Sequence, residues 1–276
     1  MMGATWLARK VDAGLDTINR VRKLNQAFLD RTAPQRFVFH HVPKCGGTSV
    51  ARALRRRYLT SQATVRPEPS FQAFKAFTGR TDTEQMLTDV SDLRQQMMLY
   101  LLYDDIRCIS LHVPFSHVAY EHFGERYKFV TLLREPVSRF ISHYNWSSRG
   151  AGEHGQISED FDTFLDTQRA RRMGAEFVEM FSDQFGQEDI RTPEAISTAV
   201  TNLRRFDLVG RLDDLEGFSM GLREILGIRI RIGHENRTGL ATATVSASNL
   251  TPSQRRAVEE VCAPDIAVWN AIFGGD

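Results

Sequence analysis

The chain has 276 residues, 42% apolar, 10% aromatic and 25% charged. That length suffices for one large domain with its own core, and the composition excludes a disordered, collagenous or disulfide-stapled scaffold as a global description. The formal charge of +1 argues against a nucleic-acid coat, but residues 1–60 hold 12 Lys or Arg against 3 Asp or Glu, an asymmetry that points to a local anionic ligand or surface.

The first predicted element is a basic amphipathic helix over residues 5–30, with Leu7, Val11, Leu15, Ile18, Val21 and Leu24 at helical spacing. Residues 1–33 are set apart on this ground, as a helix that packs on the domain or on another subunit and leaves room for a homo-oligomer. Residues 34–276 form the domain proper. Phe37-Val38-Phe39 begins a buried strand, followed by a glycine turn and a helix from about Thr48 to Tyr58. Residues 61–80, with Pro67 and Pro69, read as a loop. A helix covers 83–103. Ile106 to Val113 is a second strand, leading into a short helix near 115–123. Phe129 to Leu133 is a third, a continuous apolar run of the kind parallel sheets bury on both faces. Pro136 opens a helix that runs to about Trp146.

The polar segment 147–156 reads as a surface loop. Helices follow near 158–168, 171–183 and 193–204, then a short strand at Phe206 to Val209 and a helix at 213–226 stopped by Gly227. The Thr251-Pro252-Ser253-Gln254 capping box and Pro264 open two C-terminal helices. Strands alternating with helices predict an α/β domain with a central parallel sheet flanked by helices.

Cys45, Cys108 and Cys262 are scattered and form no CxxC pair. Reduced thiols in a cytoplasmic protein are expected, not a disulfide framework or a zinc site. No apolar run approaches the ~20 residues of a membrane span, and Arg9, Lys10 and Asp12 interrupt any secretory apolar segment.

Two strand-to-helix junctions carry chemistry. In Phe39-His40-His41-Val42-Pro43-Lys44-Cys45-Gly46-Gly47-Thr48-Ser49, main-chain N–H groups and the helix dipole favour an anion. Gly46 and Gly47 permit close backbone approach, Thr48 and Ser49 add hydroxyls, and Lys44 adds a charge. The lysine precedes the glycines, which departs from the Walker order GxxxxGK[ST]. The second junction runs Arg134-Glu135-Pro136-Val137-Ser138-Arg139-Phe140-Ile141-Ser142-His143-Tyr144. Arg134 emerges at the carboxyl end of a strand, where open α/β sheets bind ligands, and Arg offers a planar fork to phosphate. Ser138 and Ser142 share a helix face. Two anion sites on two junctions suit a nucleotide with phosphates at both ends of its ribose.

The run His41 to Ser49 resembles the 5′-phosphosulfate loop of carbohydrate sulfotransferases, and Leu133 to Tyr144 resembles their 3′-phosphate element. Phe206-Asp207-Leu208-Val209-Gly210, His234-Glu235-Asn236-Arg237 and the terminal stretch with Asp265 and Trp269 resemble further pieces of that family. The resemblance implies a P-loop-like sulfotransferase fold and PAPS (3′-phosphoadenosine 5′-phosphosulfate) as co-substrate, without a metal. It implies that Lys44, Cys45, Gly46, Gly47, Thr48 and Ser49 hold the 5′-phosphosulfate, and that Arg134 and Ser142 hold the 3′-phosphate.

Sulfuryl transfer to a hydroxyl needs a base, and histidine suits it near neutral pH. Leu111-His112-Val113-Pro114-Phe115 follows the second strand and is similar to the G-H-V-x-[FY] stretch of uronyl 2-O-sulfotransferases, which implies His112 as the base. That pattern often carries a second histidine where this chain has Ser110. One of His40 and His41 faces the cleft; His41 is taken as acceptor-binding together with Arg55 and His117. Arg52, Arg55, Arg56 and Arg57 form a cluster suited to an acidic acceptor. The expected reaction is sulfuryl transfer from PAPS to a carbohydrate or other hydroxyl. An unusual P-loop kinase and a non-catalytic nucleotide- or glycan-binding protein remain the alternatives.

Overall fold

The computed structural model describes residues 16–17, 19–21, 23–149, 156–184, 190–227, 230, 232 and 245–274. Five parallel strands make one sheet: β1 (Arg36–His40), β2 (Gln62–Val65), β3 (Cys108–Leu111), β4 (Tyr127–Leu133) and β5 (Leu208–Arg211). Their spatial order is β2-β3-β1-β4-β5, so β1 is central and flanked by β3 and β4. Residues 23–32 are helical (α1). The connections carry α2 (Gly47–Arg57), α3 (Pro67–Thr78), α4 (Thr83–Tyr103), α5 (His117–Phe123) and α6 (Pro136–Ser147). After β4 and α6 come the short helices α7 (Phe161–Leu165), α8 (Gln168–Met173) and α9 (Glu176–Phe181), then α10 (Pro193–Leu203). α11 (Leu215–Leu226), α12 (Pro252–Val261) and α13 (Ala263–Phe273) complete the chain.

The period of two along β1 divides the core. Phe37 and Phe39 face α2 and α11, where Val50, Leu54, Phe218 and Leu222 bury with them. Val38 faces the opposite side with Ile109 and Phe129, against Met98 and Leu102 of α4 and Phe177 and Phe181 of α9. Each fully buried side chain of this size contributes roughly 1.5–3 kcal/mol of transfer free energy. A third cluster joins Phe140 and Tyr144 of α6 to Phe161, Phe164, Val258 and Cys262.

The α/β expectation holds, with three local differences. Residues 61–80 are not a loop but hold strand β2 and helix α3. Pro67 and Pro69 sit in the first turn of α3, where a missing N–H leaves no helical bond unmade. The helix expected over 171–183 is two helices, α8 and α9, separated near Gly174. A Cβ there would lie 2.3 Å from the Val261 carbonyl oxygen, so the chain bends where it meets α12. Among the described residues near the N-terminus, Val21, Leu24 and Phe28 are exposed, and the end of the helix docks through buried Leu29 and Ala33. Arg107, fully buried, anchors it by bonds to Asp30 Oδ1 at 2.5 Å and the Ala33 carbonyl at 3.2 Å. Residues 5–15 of that helix, positions 150–155 of the polar loop and His234 to Arg237 lie outside the described residues.

Candidate active site

The carboxyl ends of β1, β3 and β4 are adjacent and carry the Lys44 loop, His112 and Arg134 respectively. This is the crevice in which open parallel sheets take ligands. The loop turns through two left-handed residues, Lys44 (φ 63°) and Gly46 (φ 75°). Helix α2 then begins with no side-chain cap and no acidic residue in its first turn. Its leading N–H groups and dipole are therefore presented to the crevice, which fits an anionic ligand. A Cβ on Gly47 would lie 2.0 Å from Cδ2 of His41, so only glycine allows the helix start and that imidazole to meet.

Cations flank this start. Arg134 Nη1 reaches the Lys44 carbonyl oxygen at 3.5 Å, which places the guanidinium beside the loop. Burial lowers the Lys44 pKa to about 8, with Arg134 and Arg149 acting in the same direction, and burial lowers that of Arg134. Lys44 Nζ lies 5.1 Å from the centroid of the Trp146 ring, a cation–π distance. Glu135 does not neutralise Arg134 by a direct ion pair. It caps α6, accepting from the amides of Val137 and Ser138 at 3.0 and 2.8 Å. Ser142 lies half-buried on the same helix. Two cations crowded together with a bare helix start lose free energy unless an anion joins them, so the residues fit a phosphate-bearing ligand.

The histidines separate by strand phase. His40, fully buried, points with Val38 into the core, bonds the Val113 carbonyl through Nδ1 at 3.0 Å and stacks on Phe129. Burial lowers its pKa to about 4. His41 points with Phe37 and Phe39 toward α2, and its ring centroid is 4.0 Å from that of His112. Burial lowers the His112 pKa to about 4, with Arg94 adding to the effect. Arg55 crosses from α2 to donate to the Ser110 hydroxyl at 2.7 Å. Thus Lys44, Cys45, Gly46, Gly47, Thr48, Ser49, Arg134, His41, His112 and Arg55 come together in the crevice and its floor. His117 does not join them by any contact. It pairs with Glu121 at 2.9 Å and with Arg205 at 3.2 Å.

The profile of the sulfotransferase family matches residues 29–270. The chain belongs to the sulfotransferase family. A solved sulfotransferase from Alicyclobacillus acidocaldarius is similar at 17% identity, over 88% of this chain and 96% of that one, with a TM-score of 0.44. No curated protein matches.

At three residues of this sulfotransferase the structure shows contacts that the sequence reading did not assign. Arg94 of α4 donates to Ser70 Oγ at 2.8 Å and to the Pro67 carbonyl at 3.1 Å, and burial lowers its pKa to about 10. Nothing in its helical context marks it, because its neighbours come from the stretch read as a loop. Trp146, 46% exposed beside Lys44, carried a signal, a large aromatic at the end of an anion-site helix. Arg139 stood in the second junction with no partners assigned. It is fully buried, donating to the Met173 carbonyl, with Glu176 and Asp265 each 3.6 Å away. Asp265 Oδ1 in turn accepts from the amides of Phe177 at 2.8 Å and Val178 at 3.4 Å. This cluster ties helix α6 to α9 and α13 of the sulfotransferase.

Proposed function

We propose that this sulfotransferase moves the sulfuryl group of PAPS to a hydroxyl of a carbohydrate acceptor, with His112 as general base. The observation that carries the reading is the uncapped start of α2 flanked by Lys44 and Arg134, with His112 on the adjoining strand end. Bound there, PAPS supplies an activated sulfuryl group and 3′,5′-ADP as leaving group. The α2 amides, Lys44 and the Thr48 and Ser49 hydroxyls bind the 5′ side; Arg134 and Ser142 bind the 3′-phosphate. His112, kept neutral by burial, takes the hydroxyl proton on a ring nitrogen as the acceptor oxygen bonds to sulfur. The bond from sulfur to the bridging oxygen breaks, and that oxygen keeps the electron pair. Lys44 and the amides oppose the charge that develops there, a preorganised role that costs no rearrangement during the step.

A carbohydrate acceptor is favoured by the resemblance of the two phosphate elements and the His112 stretch to carbohydrate sulfotransferases. His41 and half-buried Arg55 line its side of the crevice. Residues 34–276 are taken as the transferase domain and residues 1–33 as an N-terminal extension. Three buried free thiols, Cys45, Cys108 and Cys262, support a cytoplasmic setting, and no helix among the described residues is long and apolar enough to cross a membrane.

The test is His112→Ala, assayed with radiolabelled PAPS and a mixture of heparosan and chondroitin oligosaccharides. Transfer is expected to fall at least about 100-fold, within the range removed with a general base, while 3′,5′-ADP still binds. Loss of 3′,5′-ADP binding would instead make His112 a structural residue. Transfer to a phenol but to no glycan would overturn the acceptor class.

A further inference from the structure

His41 is more than a wall of the crevice. Strands β1 and β3 run parallel in a register that pairs His40 with Leu111, and the His41 amide continues the ladder by donating to the Leu111 carbonyl at 2.8 Å. The next residue on each strand, His41 and His112, therefore stands at the same level. The strand phase turns both side chains to the α2 face. The result is ring on ring, at 4.0 Å between centroids and 36° between planes.

His41 has little freedom to leave that position. Phe39, two residues back on the same strand, stacks at 5.9 Å and 22°. The ring edge lies so close to Gly47 that a Cβ there would fall 2.0 Å from Cδ2 and 2.4 Å from Nε2. His112, in contrast, is not held at Nδ1, which is buried and has no hydrogen-bond partner among the described residues. General-base histidines are ordinarily oriented by a bond to the second ring nitrogen. Here the contacts are the His41 main chain and the face of the His41 ring.

We propose that His41 is a positioning residue for the base: wedged between Phe39 and Gly47, its imidazole stacks on His112 and fixes the ring that takes the acceptor's proton. The inference rests on the reading of His112 as base. His41 suits the role because it stays uncharged. Burial lowers its pKa well below the usual imidazole value, and His112, Arg55 and Lys44 face it with like charge. A neutral ring can remain stacked while His112 gains a proton. The groups that face His112 are Arg94, which opposes that gain, and the His41 main chain, which favours it.

The experiment compares His41→Ala, His41→Phe and His112→Ala in the full chain. It measures turnover of PAPS to 3′,5′-ADP with the glycan mixture present, the pH dependence of kcat/KM, affinity for 3′,5′-ADP, and the His112 ring-proton titration by NMR. His41→Ala is expected to lower kcat about 100-fold, the loss that a displacement of about 1 Å produces, with 3′,5′-ADP affinity within about threefold of the parent. The acid limb and the NMR titration of His112 should both rise from about 4 toward the ordinary value of about 6.5, because removing the ring relieves burial. His41→Phe, which restores an aromatic face, should recover most of the lost kcat and return the limb toward its original place.

If His41→Phe is as slow as His41→Ala, the imidazole acts through its own nitrogens and positioning by the stack is wrong. If His41→Ala keeps its rate and limb while His112→Ala is dead, the inference falls and the base assignment stands. If His112→Ala turns over normally, both fall together. The NMR titration needs no acceptor, so an unmoved His112 pKa in His41→Ala also overturns the inference.

Discussion

Gly47→Ala places one methyl group where the structure leaves no space. The added Cβ would lie 2.0 Å from Cδ2 of His41, whereas carbon atoms pack at about 3.5 Å or more. The imidazole must withdraw by about 1.5 Å, and its retreat is limited by Phe39 on one side and His112 on the other. Gly47 is helical and has no left-handed φ, so alanine brings no backbone strain there; intrinsic propensity would even favour it by up to about 1 kcal/mol. Overpacking of this kind costs about 1–3 kcal/mol, so a net loss of up to about 2 kcal/mol is expected. A base displaced by about 1 Å loses about 100-fold in rate, and that is the larger effect. Urea denaturation should show a lower midpoint at unchanged slope, and turnover of PAPS should fall about 100-fold. A Gly47→Ala protein as active and as stable as the parent would refute the close approach of His41 to α2.

The pH dependence of kcat/KM should be a bell. His112 must be neutral, and burial sets its pKa at about 4; Lys44 must be charged, and burial with Arg134 and Arg149 sets its pKa at about 8. Because the lysine pKa is depressed, its charge and the donor affinity it supports are present below about 8 and lost as pH rises through it. Lys44→Arg, which does not titrate there, should abolish the alkaline limb, and an unmoved limb would assign it elsewhere. Beneath the site, Asp265→Ala should cost about 2–6 kcal/mol, about 1–3 for each of the buried Phe177 and Val178 amides left without an acceptor, while Arg139 keeps Glu176 at 3.6 Å. Arg139→Met should cost less, since Asp265 keeps its amide donors and burial already raises its pKa to about 8. Chemical denaturation that ranks the two in the reverse order would contradict this.

The strand ends were legible because short apolar runs, glycines and prolines punctuate them. β1, β3 and β4 and the starts of α2 and α6 fall where Phe37, Gly46, Phe129 and Pro136 place them. The choice between His40 and His41 was not legible. It depends on which helices cover which face of β1, a tertiary fact that a run of two histidines does not encode. The burial of Arg139 was not legible because its partners Glu176 and Asp265 lie 37 and 126 positions away in sequence. β2 was missed because an edge strand of four residues, only one of them buried, leaves almost no periodic signal. Arg94 was missed with it, since its acceptors belong to α3.

The two-phosphate site is tested most directly by calorimetric titration of 3′,5′-ADP and 5′-AMP into the parent and into Arg134→Ala. A hydrogen bond to a charged group contributes about 1.5–3 kcal/mol, so the parent should prefer 3′,5′-ADP by roughly 10- to 100-fold, and Arg134→Ala should erase that preference while leaving 5′-AMP little changed. Equal affinity of the parent for the two ligands, or equal weakening of both by the substitution, would contradict the assignment of Arg134 to the 3′-phosphate.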